Sequence, residues 1–95
     1  MNGHTEEKFT EARIETTSGS YPQKDGEFKK VPSKEVIAQF VKEAVSALGI
    51  TNTNGWVLTS GTTSVDPNQT WEHAGFAGQK VVLDYGPNHS GGGNA

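Results

Sequence analysis

Hydrophobic and polar residues alternate over residues 9–17, where Ala12 and Ile14 share one face of an extended chain. This period of two predicts a β-strand with one buried face. Residues 27–31 predict a second, shorter strand, and residues 18–26 between them contain glycine, proline and an Asp-Gly turn signal. The two strands are expected to pair as a hairpin whose loop is longer than a two-residue turn.

A helical period follows over residues 36–48. Its apolar residues recur at spacings of one, three and four: Val36, Ile37, Phe40, Val41, Ala44, Val45 and Leu48. They form one face of an amphipathic helix of about four turns. Pro32-Ser33 predicts the end of the preceding strand and the N-cap, with Glu35 in the first turn of the helix. Gly49 predicts a left-handed cap at the C-terminus of the helix.

The next predicted strand spans residues 55–59. Trp56 and Leu58 lie on one face of this strand and Val57 on the other, because side chains alternate across a strand. The loop after it holds at most a very short strand near Val65.

The last predicted strand spans residues 79–85. Its inward side chains are Val81, Leu83 and Tyr85, and its outward side chains are Val82 and Asp84. Before it, Thr70 predicts the cap of a single helical turn over residues 70–76. Trp71 in that turn and Trp56 are expected to belong to the core.

Together these elements predict one α+β domain over residues 8–85, with a mixed sheet of four to five strands packed on one long helix. The helix carries the chain across the sheet, so the first and last strands can lie side by side in parallel at its centre. This order of elements is the β-grasp plan. Residues 1–7 and 86–95 are expected to be flexible tails.

Charge and composition argue against several classes of function. The chain has 8 Lys and Arg against 11 Asp and Glu, and this net charge of −3 argues against nucleic-acid binding. The sequence has no cysteine and no Sec-type signal, so a cytoplasmic location is expected. It has no apolar run near the roughly 20 residues that a transmembrane helix needs, so no membrane association is expected. The protein is expected to be a monomer. His4, His73 and His89 lie far apart without carboxylates at ligand spacing, so no metal site is expected. Since no nucleophile or phosphate-binding motif occurs, the chain is expected to be no enzyme and to need no cofactor.

The ordered set of motifs resembles the bacterial ubiquitin-like proteins. The resemblance rests on the hairpin–helix order, the strand GWVLTS, the stretch VDPNQTWEHAGF, and the final strand KVVLDY followed by a tail with glycines. It covers roughly residues 8–93. It implies a ubiquitin-like β-grasp fold and a protein modifier whose C-terminal glycine carboxylate is joined to an amine, as an isopeptide bond, or to sulfur.

The resemblance places conjugation and activation at Gly92 and Gly93, by an E1-like adenylating enzyme. Because the chain continues with Asn94-Ala95, a peptidase is expected to cut first, most simply between Gly93 and Asn94, and a cut after Gly92 stays open. The resemblance implies a JAB-type metalloprotease for this cut and an E2-like protein as a further partner. The tail lacks the arginines that ubiquitin carries before its glycines, so an E1-like enzyme for this chain would read a different tail.

Two other functions remain open from the sequence. A sulfur carrier of the thiamine or molybdopterin type would use the same fold and a thiocarboxylate at the same glycine. A non-covalent β-grasp interaction module would have an inert tail and would act through the outward sheet face. Val57 and Val82 are candidates there for an apolar partner-binding patch, and scattered surface valines are the alternative interpretation.

Overall fold

The structure is a computed structural model that describes residues 8–87. Its elements in chain order are β1 (Phe9–Thr16), β2 (Gly19–Tyr21), β3 (Lys29–Pro32), α1 (Ile37–Leu48), β4 (Trp56–Ser60), β5 (Thr63–Ser64) and β6 (Lys80–Pro87). All six strands belong to one sheet in the order β2-β1-β6-β4-β5, with β3 also paired to β1. No helix within this part of the chain is long and apolar enough to cross a membrane.

The parallel pairing of the first and last strands is confirmed. β1 and β6 run side by side at the centre of the sheet, with Ile14 opposite Leu83, and both side chains are fully buried. β6 pairs on its other side with β4, antiparallel. It also extends two residues beyond the predicted end at residue 85, because Gly86 and Pro87 still lie opposite residues of β4.

The sheet has six strands rather than the four to five predicted. The additional strand is β2, within the predicted connecting loop of residues 18–26, where Tyr21 lies opposite Ile14 of β1. β2 and β3 both pair antiparallel with β1, and residues 22–28 between them form a loop that does not pair with β1. The hairpin prediction is therefore right, but the strand that returns along β1 is divided into β2 and β3. A strand of three residues, such as β2, is too short to show a recognisable alternation in the sequence.

The helix is shorter than predicted and begins later. It has 12 residues, about 18 Å at the rise of an α-helix. Val36 takes the N-cap position in an extended conformation without a side-chain cap, so the prediction of Ser33 as the N-cap is wrong. The first amides of the helix instead bond to a neighbouring segment, since the N–H of Ile37 donates to the carbonyl of Gln69 at 2.9 Å and that of Ala38 to Pro67 at 2.8 Å.

Ser33 forms a tertiary hydrogen bond instead of capping the helix. Its hydroxyl lies 2.9 Å from the hydroxyl of Thr10, and both side chains are buried. Thr10 in turn donates to the carbonyl of Phe76 at 2.9 Å, which ties β1 to the segment before β6. The C-terminal cap is as predicted, with Gly49 left-handed at φ 69° and its N–H directed at the carbonyls of Val45 and Ser46.

The core lies between α1 and the inner face of the sheet. Its largest fully buried side chains are Trp71, Phe40, Ile14, Ile37 and Leu83. Trp71 is a core residue as predicted, and its ring meets Phe40 edge-on at 5.6 Å between centroids. Trp56 is only half-buried, at the sheet edge, where it packs edge-on against Tyr85 at 5.2 Å.

Residues 70–76 hold Trp71 in the core through hydrogen-bonded turns, the first of which is the predicted single helical turn, with the N–H of Ala74 donating to the carbonyl of Thr70 at 3.1 Å. The hydroxyl of Thr70 accepts the N–H of His73 at 3.0 Å, which is the capping contact expected of it. The N–H of Phe76 bonds to the carbonyl of Trp71 at 2.9 Å, and Gly75 has a positive φ of 91° between them. That left-handed residue stops the helical path after one turn.

Candidate functional site

The outward face of the sheet is the surface that α1 leaves uncovered. Along β1, the inward residues Thr10, Ala12 and Ile14 are buried, whereas the outward residues Glu11 and Glu15 are exposed. Strand alternation therefore defines two different faces, and any partner that binds this sheet meets the outward one.

Val57 and Val82 both lie on the outward face, 38% and 39% exposed. Val82 is opposite Arg13, and Val57 is opposite Gly86, four positions further along β6. Four residues of strand separate these positions by about 13 Å. Asp84 lies between them, so the two valines share a face but do not form one continuous patch.

Arg13 is the outward residue that sequence analysis misses. Alternation places its side chain on the exposed face, yet it is only 4% exposed because residues 22–28 fold over it. Its Nη1 lies 2.9 Å from the carbonyl oxygens of Pro22, Lys24 and Glu27, to which it donates. Its Nε donates to Glu15 at 3.3 Å. Backbone carbonyls carry no sequence signal, so only the structure shows this arrangement, here called the Arg13 clasp.

The clasp divides the outward face into two ends of different chemistry. At the end where β6 begins, Lys30 lies over the ring of Phe9 at 4.7 Å and Lys80 over that of Phe28 at 5.0 Å. Such cation–π contacts hold the ammonium groups close to the apolar surface. The end where β6 finishes carries carboxylates and hydroxyls, with no lysine or arginine among the residues that line it.

A groove of about 550 Å³ occupies this second end. We call it the tail-root groove, and its central lining residues are Glu15, Val57, Thr59, Asp84, Gly86 and Pro87. The strand register places Asp84 between Glu15 on one side and Thr59 on the other. Pro87, the last residue of β6 and the last that the structure describes, is among the residues that line this groove.

The predicted conjugation and processing residues Gly92, Gly93 and Asn94 lie outside the described residues. Among the histidines, His73 is exposed on the turn after Trp71, and His4 and His89 also lie outside the described range. Within residues 8–87, no group of three or more His, Asp or Glu side chains is arranged to hold a metal ion.

One ion pair fastens the sheet to the helix. The ammonium of Lys29 lies 2.6 Å from Oε1 of Glu43, and both side chains are partly exposed. The hydrogen bond from Lys29 to Glu43 raises the pKa of the lysine above its ordinary value, and partial burial opposes this only in part.

Comparison with known proteins identifies the fold. The solution structure of the UBL domain of yeast Ddi1 is similar to this chain, with a TM-score of 0.53 over 92% of this chain and 100% of that one. The sequences are 13% identical, so the likeness shows a ubiquitin-like β-grasp fold and nothing more specific. Neither a protein-family profile nor a curated protein sequence matches the chain.

Proposed function

We propose that this protein is a prokaryotic, cytoplasmic ubiquitin-like modifier that is cleaved after Gly93 and then activated there by an E1-like enzyme. The observation that carries the proposal is the combination of a ubiquitin-like β-grasp domain with three glycines, Gly91 to Gly93, in the segment that follows its last strand. A JAB-type metalloprotease would remove Asn94-Ala95, and an E2-like protein would serve the transfer. In this role the chain is a substrate of enzymes and has no catalytic residue of its own.

The end of the domain suits this role because it is firmly held. β6 is hydrogen-bonded to β1 on one side and to β4 on the other, and its pairing with β4 continues to Pro87. The six residues from Asn88 to Gly93 can span about 20 Å when extended. Glycine has no side chain, so a segment of three glycines can enter a channel too narrow for other residues.

The proposed chemistry is an acyl transfer driven by ATP. A Gly93 carboxylate oxygen attacks the α-phosphorus of ATP, and pyrophosphate leaves, which gives an acyl adenylate. A thiol of the enzyme or a lysine amine then attacks the Gly93 carbonyl carbon, AMP leaves, and the nucleophile loses its proton. Because this chain has no cysteine, every thiol in such a relay belongs to another protein.

The test is the mass of the protein after production, with an N-terminal tag, in the organism that encodes it. A modifier loses residues 94–95 and appears in conjugates of higher mass. The variant in which Gly92 and Gly93 are both replaced by Ala should form none, while its fold is unchanged.

Two other results would replace the proposal. A mature chain that ends at Gly93 and carries sulfur in place of one carboxylate oxygen would identify a sulfur carrier. A full-length chain without adducts would favour the non-covalent interaction module, which the open tail-root groove also suits.

A further inference from the structure

Asn54 and Gly55 form an exposed turn immediately before β4. The N–H of Trp56, the first residue of β4, donates to the carbonyl of Thr53 at 3.0 Å and closes the turn. Gly55, at the third position of the turn, has a φ of 78°, a conformation that favours glycine there. Both Asn54 and Gly55 are exposed, and a Cβ atom built on Gly55 would meet no atom within 4 Å. The glycine side of the turn is therefore open to solvent.

The reacting groups of an Asn-Gly pair are both free in this turn. An asparagine carboxamide reacts most readily with the following main-chain nitrogen when that residue is glycine, which has no side chain to hinder the approach. Neither the N–H of Gly55 nor the carboxamide of Asn54 has a hydrogen-bond partner within residues 8–87. The N–H of Asn54 donates to Oδ1 of Asn52 at 3.0 Å, which holds the turn without engaging either reacting group.

The other asparagines within residues 8–87 lack this combination. Asn52 is followed by a β-branched threonine, and its own Oδ1 accepts a main-chain N–H. Asn68 is followed by Gln69, whose N–H donates to the carbonyl of Asp66 at 3.3 Å. Asn52 and Asn68 are also exposed, so they serve as internal references for the reactivity of an exposed asparagine.

We propose that Asn54-Gly55 is a site of spontaneous deamidation, and that its isoaspartyl product releases the start of β4. The N–H of Gly55 gives its proton to hydroxide or a buffer base, and the nitrogen attacks Cγ of Asn54. The carboxamide nitrogen takes a proton from solvent and leaves as ammonia, and a five-membered succinimide remains. Water then opens the ring. Cleavage of the bond from the ring nitrogen to Cγ gives aspartate, and cleavage of the bond from this nitrogen to the main-chain carbonyl carbon gives isoaspartate. Water is consumed and ammonia released, and nothing is oxidised or reduced.

The aspartyl product is compatible with the turn, because a second turn of this form contains aspartate. The N–H of Glu27 donates to the carbonyl of Lys24 at 3.1 Å and closes that turn. Asp25 and Gly26 lie inside it, and Gly26 has a φ of 75°. Aspartate at residue 54 therefore adds a negative charge and keeps the main chain as it is.

The isoaspartyl product changes the main chain itself. The chain then runs through the side-chain methylene, which lengthens the turn by one carbon, about 1.5 Å. This separates the N–H of Trp56 from the carbonyl of Thr53. Trp56 also lies opposite Pro87, at the end of β6, and packs edge-on against Tyr85 at 5.2 Å. Isoaspartate at residue 54 therefore loosens the pairing of β4 with the last residues of β6.

The first measurement is a peptide map of the full 95-residue chain during incubation in neutral buffer at physiological temperature. Mass spectrometry quantifies deamidation at each asparagine, and an isoaspartyl methyltransferase labels the isoaspartyl product. Asn54 should react at least about tenfold faster than Asn52 and Asn68. Asn54→Gln should abolish the reaction at this position, since attack by the next nitrogen would need a six-membered ring. Equal rates at the three asparagines of the parent chain would overturn the proposal, whether or not the variant folds.

Hydrogen exchange tests the release of β4. In the isoaspartyl fraction, separated by chromatography, the amide of Trp56 should exchange at least about fivefold faster than in the fresh protein, whereas Leu83 at the sheet centre should be unchanged. Freshly prepared Asn54→Asp is the matched control, because it carries the added charge on a normal main chain, and it should exchange like the parent. Unchanged exchange at Trp56 in the isoaspartyl fraction, or an equal increase in Asn54→Asp, would overturn the release. Neither measurement involves the conjugation glycines, so both results are independent of the proposed modifier function.

Discussion

Replacing Arg13 should release residues 22–28 from the outward face of the sheet. The guanidinium is nearly fully buried and holds three carbonyl oxygens, each at 2.9 Å from Nη1. Nη1 has only two hydrogens for these three acceptors, so its contacts with the carbonyls amount to about two full charge-assisted bonds. At about 1.5–3 kcal/mol per bond to a charged group, the loss of two such bonds should cost about 3–6 kcal/mol before the freed carbonyls rehydrate.

The loss of stability on replacing Arg13 is limited, because the carbonyl groups of residues 22–28 can bind water once the segment opens. In Arg13→Met the aliphatic bulk is kept, and the freed carbonyls of Pro22, Lys24 and Glu27 can turn to water when the segment opens. The free energy of unfolding should still fall measurably, since a domain of 80 residues has about 4–12 kcal/mol in total. Urea unfolding followed by the fluorescence of the two tryptophans, Trp56 and Trp71, gives the change in this free energy.

Hydrogen exchange separates release of the segment from general destabilisation. The N–H of Glu27, bonded to the carbonyl of Lys24 at 3.1 Å, should lose its protection in Arg13→Met, whereas Leu83 in the central strand should lose no more than the global change. Lys42→Met, on the exposed side of α1, serves as the control. If Arg13→Met stays within about 0.5 kcal/mol of the parent and Glu27 exchanges at the parent rate, the clasp does not hold this segment.

Three further changes probe the helix and the core. Lys29→Met should cost less than about 1 kcal/mol at neutral pH, because the pair with Glu43 is partly exposed. The raised pKa of Lys29 means that its contribution is complete below the ordinary lysine value of about 10.4 and is lost as pH rises through the higher folded value, so parent and variant should converge in alkaline urea titrations. Gly49→Ala should cost about 1 kcal/mol in thermal unfolding, because its φ of 69° disfavours a Cβ. Trp71→Phe should cost less in urea unfolding than the 3–5 kcal/mol typical of Trp→Ala, because the buried indole N–H has no hydrogen-bond partner within residues 8–87.

Each of these has a distinct contrary result. A stability difference for Lys29→Met that grows above the ordinary lysine pKa would reverse the assigned sign. A Gly49→Ala variant as stable as the parent would show that the helix end adjusts without its left-handed residue. A Trp71→Phe variant as unstable as Trp71→Ala would mean that the ring volume, and not the unpaired N–H, controls this site.

The sequence predicts the elements whose pattern is local and strong. Alternation around Ile14 and Leu83 locates the two central strands, and the helical period with Gly49 locates the end of α1. The start of α1 could not be predicted, because the residues that satisfy its first amides, Pro67 and Gln69, are some thirty positions away in the chain. Ser33 has the chemistry of an N-cap, yet tertiary contact with Thr10 determines where its hydroxyl lies.

The candidate site could also be predicted only in part from the sequence. The outward positions of Val57 and Val82 follow from strand alternation, and both are exposed as this predicts. Their separation by Asp84 depends on the pairing register, which alternation within one strand does not determine. The tail-root groove also depends on this register, since only the pairing of three strands brings Glu15, Asp84 and Thr59 together.

The most direct test of the proposed modifier is tandem mass spectrometry of tryptic peptides from the protein purified with its conjugates from the organism that encodes it. The account predicts branched peptides in which the carbonyl of Gly93 is joined to a lysine amine of another protein, and their absence when Gly92 and Gly93 are replaced by Ala. Recovery of the C-terminal peptide only with Asn94-Ala95 attached, under conditions in which the partner enzymes are expressed, would contradict it.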